Sequence, residues 1–260
     1  MASVGTPPSV AGKVMAILEA FAPGGVRLTL TEICRRASLP LATGHRLVGE
    51  LTAGGFLERL SDGSYRVGMH LWRIGAQASA ATALRELALP HMEDLYEVTH
   101  ENVQLAVLNE HKALYLERLR GPRSVPIVTR VAAELPLHAT GVGRVLLAFS
   151  SDEFVDGVLA EGLSPHTPHT ITDPERLRAC LAEVRRVGYA VTSEEMTLNS
   201  YSVAAPVRDA GGGVLAAMSL VTRRQGADLR RLVPAVLTAT RALSRDVIAH
   251  GGSTEWRDLA

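Results

Sequence analysis

Between residues 29 and 67 the apolar side chains pass from helical spacing to two short extended runs, and turn chemistry marks each break. Thr29 and Glu32 form a Thr-x-x-Glu capping box, in which each side chain satisfies a free backbone N–H at a helix start. Leu30, Ile33 and Ala37 share one face of that helix. Ser38-Leu39-Pro40 ends it, because proline disfavours helical geometry at Leu39 and suits the opening of a new helix. The second helix carries Leu47, Val48 and Leu51 inward and stops at Gly54-Gly55. Two extended runs then flank Ser61-Asp62-Gly63-Ser64, where Asp-Gly signals a hairpin turn. Helix, turn, helix and hairpin in this order describe a winged helix-turn-helix.

Beyond residue 68 the pattern changes. Residues 68–84 are helical in character and rich in small residues, as a connecting helix would be. Leu84, Leu87, Ala88, Met92 and Leu95 mark an amphipathic helix with Pro90 as its expected kink. Two apolar strands follow about an Asn109-Glu110-His111 turn. Residues 140–149 and 173–187 read as helices. YAVTS, SVAAPV and VLAAMSLV read as strands, and residues 228–249 as a final helix. The interleaving predicts an α+β fold with a sensor-like sheet domain. The expected boundaries are a disordered tip at 1–12, the winged helix-turn-helix at 13–68, a linker helix at 69–83, an effector-binding domain at 84–250 and a tail at 251–260.

The second helix of the first domain shows Ala42, Thr43, His45 and Arg46 on its outer face. An α-helix fits the major groove, where Arg and His bond to base edges, while Thr43 and the helix start suit phosphates. The candidate DNA contacts are therefore Thr31, Leu41, Ala42, Thr43, His45 and Arg46, with Arg59 and Arg66 on the wing. A plain helical subdomain with solvated arginines is the alternative for this stretch taken alone. The whole chain carries 27 basic and 27 acidic residues. Residues 1–75 hold 8 Lys and Arg against 5 Asp and Glu, an excess of the sign that phosphate neutralisation needs.

Other chemistry is sparse. No apolar run approaches the ~18–20 residues of a membrane span. The start, MASVGTPPSVAGK, has neither a signal-length apolar stretch nor a charged leader, so a cytoplasmic protein is expected. Cys34 and Cys180 have no metal spacing and are expected to be buried thiols. The nine His residues form no HxxxH or HExxH pair, and His138 is expected to bond locally rather than to a metal. Glu194 and Glu195 are adjacent, so they point apart and read as structural or exposed rather than as an acid/base pair. Ser150-Ser151-Asp152-Glu153 reads as a helix boundary, and no Gly-x-Ser-x-Gly element is present. Neither metal nor cofactor is expected.

Three stretches together resemble the IclR-type family of bacterial transcriptional regulators, over about residues 13 to 249. LPLATGHRLVGELTAGGFLER is similar to that family's recognition helix and the start of its wing. LPLHATGVGRVLLAF is close to its Leu-His-x-Thr-x-x-Gly-Arg/Lys element. GYAVTSEEM and VAAPVRDAGGGVLAAMSLV match its Gly-Tyr-x-x-x-x-Glu-Glu and Ala-Ala-Pro-Val elements. The resemblance implies a linker helix joining the winged domain to a GAF-like effector domain with an antiparallel sheet and flanking helices. It also implies a homodimer or homotetramer on a palindromic double-stranded DNA operator. Three positions depart from the pattern: Gly44 within the recognition helix, Ser38 at a turn position that often holds glycine, and Asn199 where glycine is also common.

The second element also carries a physical argument for an effector site. Thr140 would cap a helix opening on Gly141-Val142-Gly143, and a helix start with accessible N–H groups binds a carboxylate. GVGR is not a phosphate-binding P-loop. The glycines alone are equally explained by close helix–sheet packing. By motif position the implied pocket is Gly141, Val142, Thr192, Ser202, Ser219 and Val221, and Ile127 and Thr140 are expected beside them. Thr192 and Val221 stand where some members have Asp and Ser, so a larger or more apolar organic acid is expected than a small keto acid. Two other classes remain: a helix-turn-helix fused to an enzyme domain, and a protein-interaction module.

Overall fold

The computed structural model describes residues 9–22, 27–77, 79–121 and 124–250. The chain divides into two compact units after Ser79. In the first, α1 (Val10–Glu19), α2 (Leu30–Arg36) and α3 (Leu41–Ala53) surround Ile17, Ile33, Leu47, Val48 and Leu57, all essentially inaccessible to solvent. The capping box at Thr29 and Glu32 forms in both directions. β1 (Leu57–Arg59) and β2 (Tyr65–Val67) pair antiparallel as the wing. The tight turn between them relies on Gly63 at φ 81° and on Asp62, which accepts from the Ser64 backbone and hydroxyl.

Two expectations for this unit are corrected. The region expected as a disordered tip contains the start of α1, because Ser9 caps Gly12 N–H and Val14 and Ile17 give the helix an apolar face against the core. Residues 1–8 and 251–260 lie outside the described residues. The expected linker helix at 69–83 is interrupted: α4 (Met69–Gly75) ends at Ala76, and α5 (Ser79–Thr99) starts anew. α4 buries no residue, so packing does not offset the low helix propensity of Gly75.

The second unit is one antiparallel sheet covered on both faces. Its strands are β3 (Asn102–Asn109), β4 (Lys112–Leu119), β5 (Glu134–Pro136), β6 (Ala190–Ser193), β7 (Ser200–Arg208) and β8 (Val214–Arg223), in the order β5-β4-β3-β8-β7-β6. α5 and α9 (Leu229–Ala249) cover one face through Leu84, Met92, Val236 and Leu243 against Val103, Leu105 and Met218. On the other face α6 (Gly141–Ala148), α7 (Asp152–Ala160) and α8 (Pro174–Val187) pack against Ala106, Tyr115, Ala204 and Ala217. α7 and β5 are additions to the predicted elements. α5 continues on both sides of Pro90. Cys34 is buried as expected, whereas Cys180 is only half-buried.

Because both faces of the sheet are covered, its central strands are apolar on both sides. A polar side chain in such a strand stands out, and the α6 face collects several. Thr192, Ser202 and Val221 are neighbours across β6, β7 and β8, with Asn102 next on β3. One step along the strands, Ala204, Ser219 and Gln104 form the adjoining row.

Candidate functional site

In the first unit, α3 turns Leu47, Val48 and Gly44 inward and leaves Leu41, Ala42, His45 and Arg46 exposed, with Thr43 half-buried. α2 and α3 differ at their starts. α2 is closed by its capping box, whereas Pro40 gives α3 no side-chain cap. The N–H groups of Leu41, Ala42 and Thr43 therefore remain available, and a helix start of this kind receives phosphate oxygens. Thr31 lies exposed in the first turn of α2, and Arg59 and Arg66 lie exposed on the wing. Arg46 is held by Glu50 at 2.5 Å and Arg66 by a two-pronged pair with Glu58 at 2.8 and 2.9 Å. These are exposed pairs, each worth about 0–1 kcal/mol, so either arginine can exchange its carboxylate for DNA.

In the second unit, a narrow cleft of about 30 Å³ opens on the α6 face of the sheet. It gathers Ile127, Thr140, Gly141, Thr192, Ser202 and Val221 of the expected pocket. The other two are not in its wall. Val142 is 1% exposed and packs into the core with Val145 and Leu146, because the second residue of α6 faces the sheet rather than the cleft. Ser219 is also 1% exposed, and its hydroxyl donates to Gln104 Oε1 at 3.2 Å. It is Gln104 that reaches the cleft.

The start of α6 is built as the sequence suggests. Thr140 accepts from Gly143 N–H at 3.2 Å and donates to the Pro136 carbonyl at 3.0 Å. Among the described residues, the Gly141 and Val142 N–H groups have no protein acceptor. Both glycines are also needed for packing. A Cβ on Gly141 would stand 2.6 Å from Ser202 Oγ, and one on Gly143 would stand 2.5 Å from the Leu137 backbone. Packing therefore accounts for both glycines, and at Gly141 it leaves the backbone N–H open to the cleft.

The motif acids have a structural task. Arg144, fully buried, donates to Glu195 and, through Nε, to the His138 carbonyl at 3.0 Å. Glu194 turns the other way, accepting from Asn199 N–H at 2.8 Å and from Arg224 at 2.6 Å. They point apart as expected, but both are buried. The Asn199 and Arg224 contacts hold the Glu194 carboxyl below its usual range, whereas burial raises that of Glu195 against the pull of Arg144. The segment so fixed supplies Met196, Thr197 and Ser200 to the cleft wall. His138 bonds the Ser164 carbonyl at 3.0 Å, a partner 26 residues away rather than a local one, and burial lowers its basicity.

Sequence reasoning missed Gln104, Tyr115 and Met196. Gln104 had a usable signal, since it interrupts the apolar run VQLAV. Tyr115 lies in the apolar strand ALYL, where nothing separates a cleft tyrosine from a core one. Burial raises its hydroxyl pKa, and Thr140 and Thr129 act against that shift as hydrogen-bond partners.

A winged helix-turn-helix on the same chain as a sheet domain with a cleft at an open helix start defines the class of ligand-responsive DNA-binding regulators. The IclR helix-turn-helix domain model matches residues 10–61, and the model described as bacterial transcriptional regulator IclR C-terminal matches residues 76–247. The chain belongs to the IclR family of bacterial transcriptional regulators. It is 30% identical over 239 residues to the HTH-type transcriptional regulator XynR of Escherichia coli K12, covering 90% of this chain and 94% of that one. It is 31% identical to the Pca regulon regulatory protein of Pseudomonas putida, covering 88% and 80%. Among solved structures, an IclR homolog from Microbacterium hydrocarbonoxydans complexed with 4-hydroxybenzoate matches with TM-score 0.86 and 38% identity, over 92% of this chain and 99% of that one. The chain is thus a DNA-binding transcriptional regulator and not an enzyme. Among the described residues no helix is long and apolar enough to cross a membrane.

Proposed function

We propose that this regulator senses an aryl carboxylate, which enters the α6 cleft with its carboxylate on the Gly141 and Val142 N–H groups and its ring against Tyr115, Ile127, Leu135 and Met196. The observation that carries the ligand class is the open start of α6 beside apolar walls. A carboxylate is matched by backbone donors and the helix dipole, and an aromatic ring by the walls. The 4-hydroxybenzoate held by the Microbacterium homolog supports the same class. In a calorimetric titration, aromatic acids should bind more tightly than glyoxylate or pyruvate; the reverse order would refute this reading.

DNA recognition is assigned to the exposed face of α3, with Arg46 and His45 reading bases, the α3 start and Thr31 on phosphates, and Arg59 and Arg66 on the flanking backbone. The chain acts in the cytoplasm as a homodimer or homotetramer on a palindromic operator. The exposed Met69, Trp72 and Ile74 of α4 support self-association, since a helix with no buried residue needs another surface to cover its apolar side chains. Effector and operator are linked thermodynamically, so the ligand alters DNA affinity only as far as it favours one arrangement of the two recognition helices over another. Fluorescence anisotropy on the DNA upstream of the regulator's own gene tests the interface. Arg46→Ala should abolish site-selective binding with fold and oligomer unchanged, and a surviving footprint would place the recognition residues elsewhere.

A further inference from the structure

The cleft has a second polar end, defined by an amide donor with no partner. Gln104 lies in the centre of the sheet on β3 and is 2% exposed. Its Oε1 receives the Ser219 hydroxyl, which fixes the amide plane, and its Nε2 has no hydrogen-bond partner. Buried side-chain amides are nearly always paired on both atoms, because an unpaired donor loses its solvation for nothing in return. Directly across the β3–β4 ladder stands Arg118, whose Nε is also buried and unpaired while its Nη1 donates to the carbonyl of Thr129, a cleft residue. Facing residues of a ladder have their Cβ atoms about 5 Å apart, close enough for two side chains to address one group.

This end is separate from the start of α6. Gly141 sits over Ser202 and Ala204 of β7, whereas Gln104 belongs to β3, two strands away. At about 4.8 Å per strand, their backbones are roughly 10 Å apart.

We infer that the effector carries, beyond its carboxylate, a second oxygen that accepts from Gln104 Nε2, so that Gln104 sets effector specificity and Ser219 positions it. The inference rests on the proposed aryl-carboxylate reading. An acid without that oxygen leaves the donor unpaired in the occupied cleft and binds more weakly. A hydroxylated or otherwise oxygenated aromatic acid is the class selected. Ser219 fell among the expected ligand contacts because of its motif position; in this arrangement it acts one residue removed, through the amide.

The test is calorimetry of the full-length protein with benzoate and 4-hydroxybenzoate as probes. For the native protein, 4-hydroxybenzoate should bind roughly tenfold more tightly than benzoate, the factor expected of one hydrogen bond in a desolvated site. Gln104→Leu should erase that difference through weaker 4-hydroxybenzoate binding, with benzoate affinity retained. Gln104→Met, of nearly the same length but without the amide, should lose the preference as well. Ser219→Ala should lower the preference in part. A merely structural role for Gln104 would shift both acids equally. Retained benzoate binding by Gln104→Leu also reports a folded cleft, and Gln104→Met gives a second reading should the leucine variant misfold. Equal binding of both acids by the native protein, or a preference that survives in Gln104→Leu, would overturn the inference and leave the aryl-carboxylate reading standing. No binding of either acid by the native protein would overturn both.

Discussion

Gly44 shows how a residue unfavourable to its own helix can be required by the next. In α3 a glycine costs about 1 kcal/mol relative to alanine, so Gly44→Ala should stabilise if the helix alone mattered. However, a Cβ at this position would stand 2.1 Å from Cys34 Sγ of α2, against the 3.5–4.0 Å of an ordinary contact. Cys34 has one side-chain torsion, sits in a helix where one of three rotamers is excluded, and is 5% exposed. Overpacking of this kind costs about 1–3 kcal/mol, which meets or exceeds the helix gain. Gly44→Ala alone should therefore be neutral to destabilising by about 2 kcal/mol. Cys34→Ala alone should cost on the order of 1 kcal/mol for the void left by sulfur. In the double variant the new methyl enters the space vacated by sulfur, and the helix gain reappears, so it should be about as stable as the native protein or about 1 kcal/mol better. The two changes then couple by about 2–3 kcal/mol, an amount expected only of residues in contact. Hydrogen-exchange protection of the α2 and α3 amides measures this locally, without a two-state assumption for a chain of two units. If Gly44→Ala alone raised protection by the full helix increment, the steric argument would be wrong.

Other positions give sharper single changes. Ser38 holds φ at 53° in the turn between α2 and α3, so Ser38→Gly should raise the thermal midpoint, with a gain of up to about 1 kcal/mol from relief of left-handed strain. Arg144→Met should cost about 3–5 kcal/mol by leaving Glu195 buried without its cation, and adding Glu195→Met should recover much of it in thermal melts. Burial lowers the folded-state pKa of His138, so below the unfolded value near 6.5 the unfolded chain binds a proton that the folded chain refuses. Stability should fall as pH drops below about 6.5 and level off above it, and His138→Gln should flatten that slope in chemical denaturation.

Legibility followed the range over which each signal acts. The α2 cap, the Pro40 break, the Gly54-Gly55 stop and the Asp62-Gly63 turn are decided within four residues, and each appears where the chain announces it. The strands of the sheet other than the short edge strand β5 were also visible, because covered faces require apolar runs. The cleft was only partly so. Position within a motif located Thr140, Gly141, Thr192, Ser202 and Val221, but a motif does not say which way a side chain faces. Val142 is turned away by one step of helix rotation, and Ser219, on the same strand and face as Val221, is shut off behind Gln104. α4 was obscured for another reason: a small-residue stretch reads as helix from end to end, and only the lack of buried contacts shows where it breaks.

The same distinction bears on how the cleft chooses a ligand. The charged residues its motifs advertise are committed to one another: Arg144 to Glu195, Arg224 to Glu194. Neither cation is free to receive an anion, and both pairs instead fix the segment that brings Met196, Thr197 and Ser200 to the wall. On the proposed reading, recognition falls mainly to neutral donors, namely the Gly141 and Val142 N–H groups, the threonine and serine hydroxyls and the Gln104 amide, with Arg118 behind that amide and its head held by the Thr129 carbonyl. A free guanidinium attracts any anion that reaches it, with little regard to shape. Backbone N–H groups and a locked amide act only along their own bond directions, and a partner that misses them leaves a buried donor unsatisfied. On that reading the cleft separates acids by where their oxygens lie rather than by how much charge they carry.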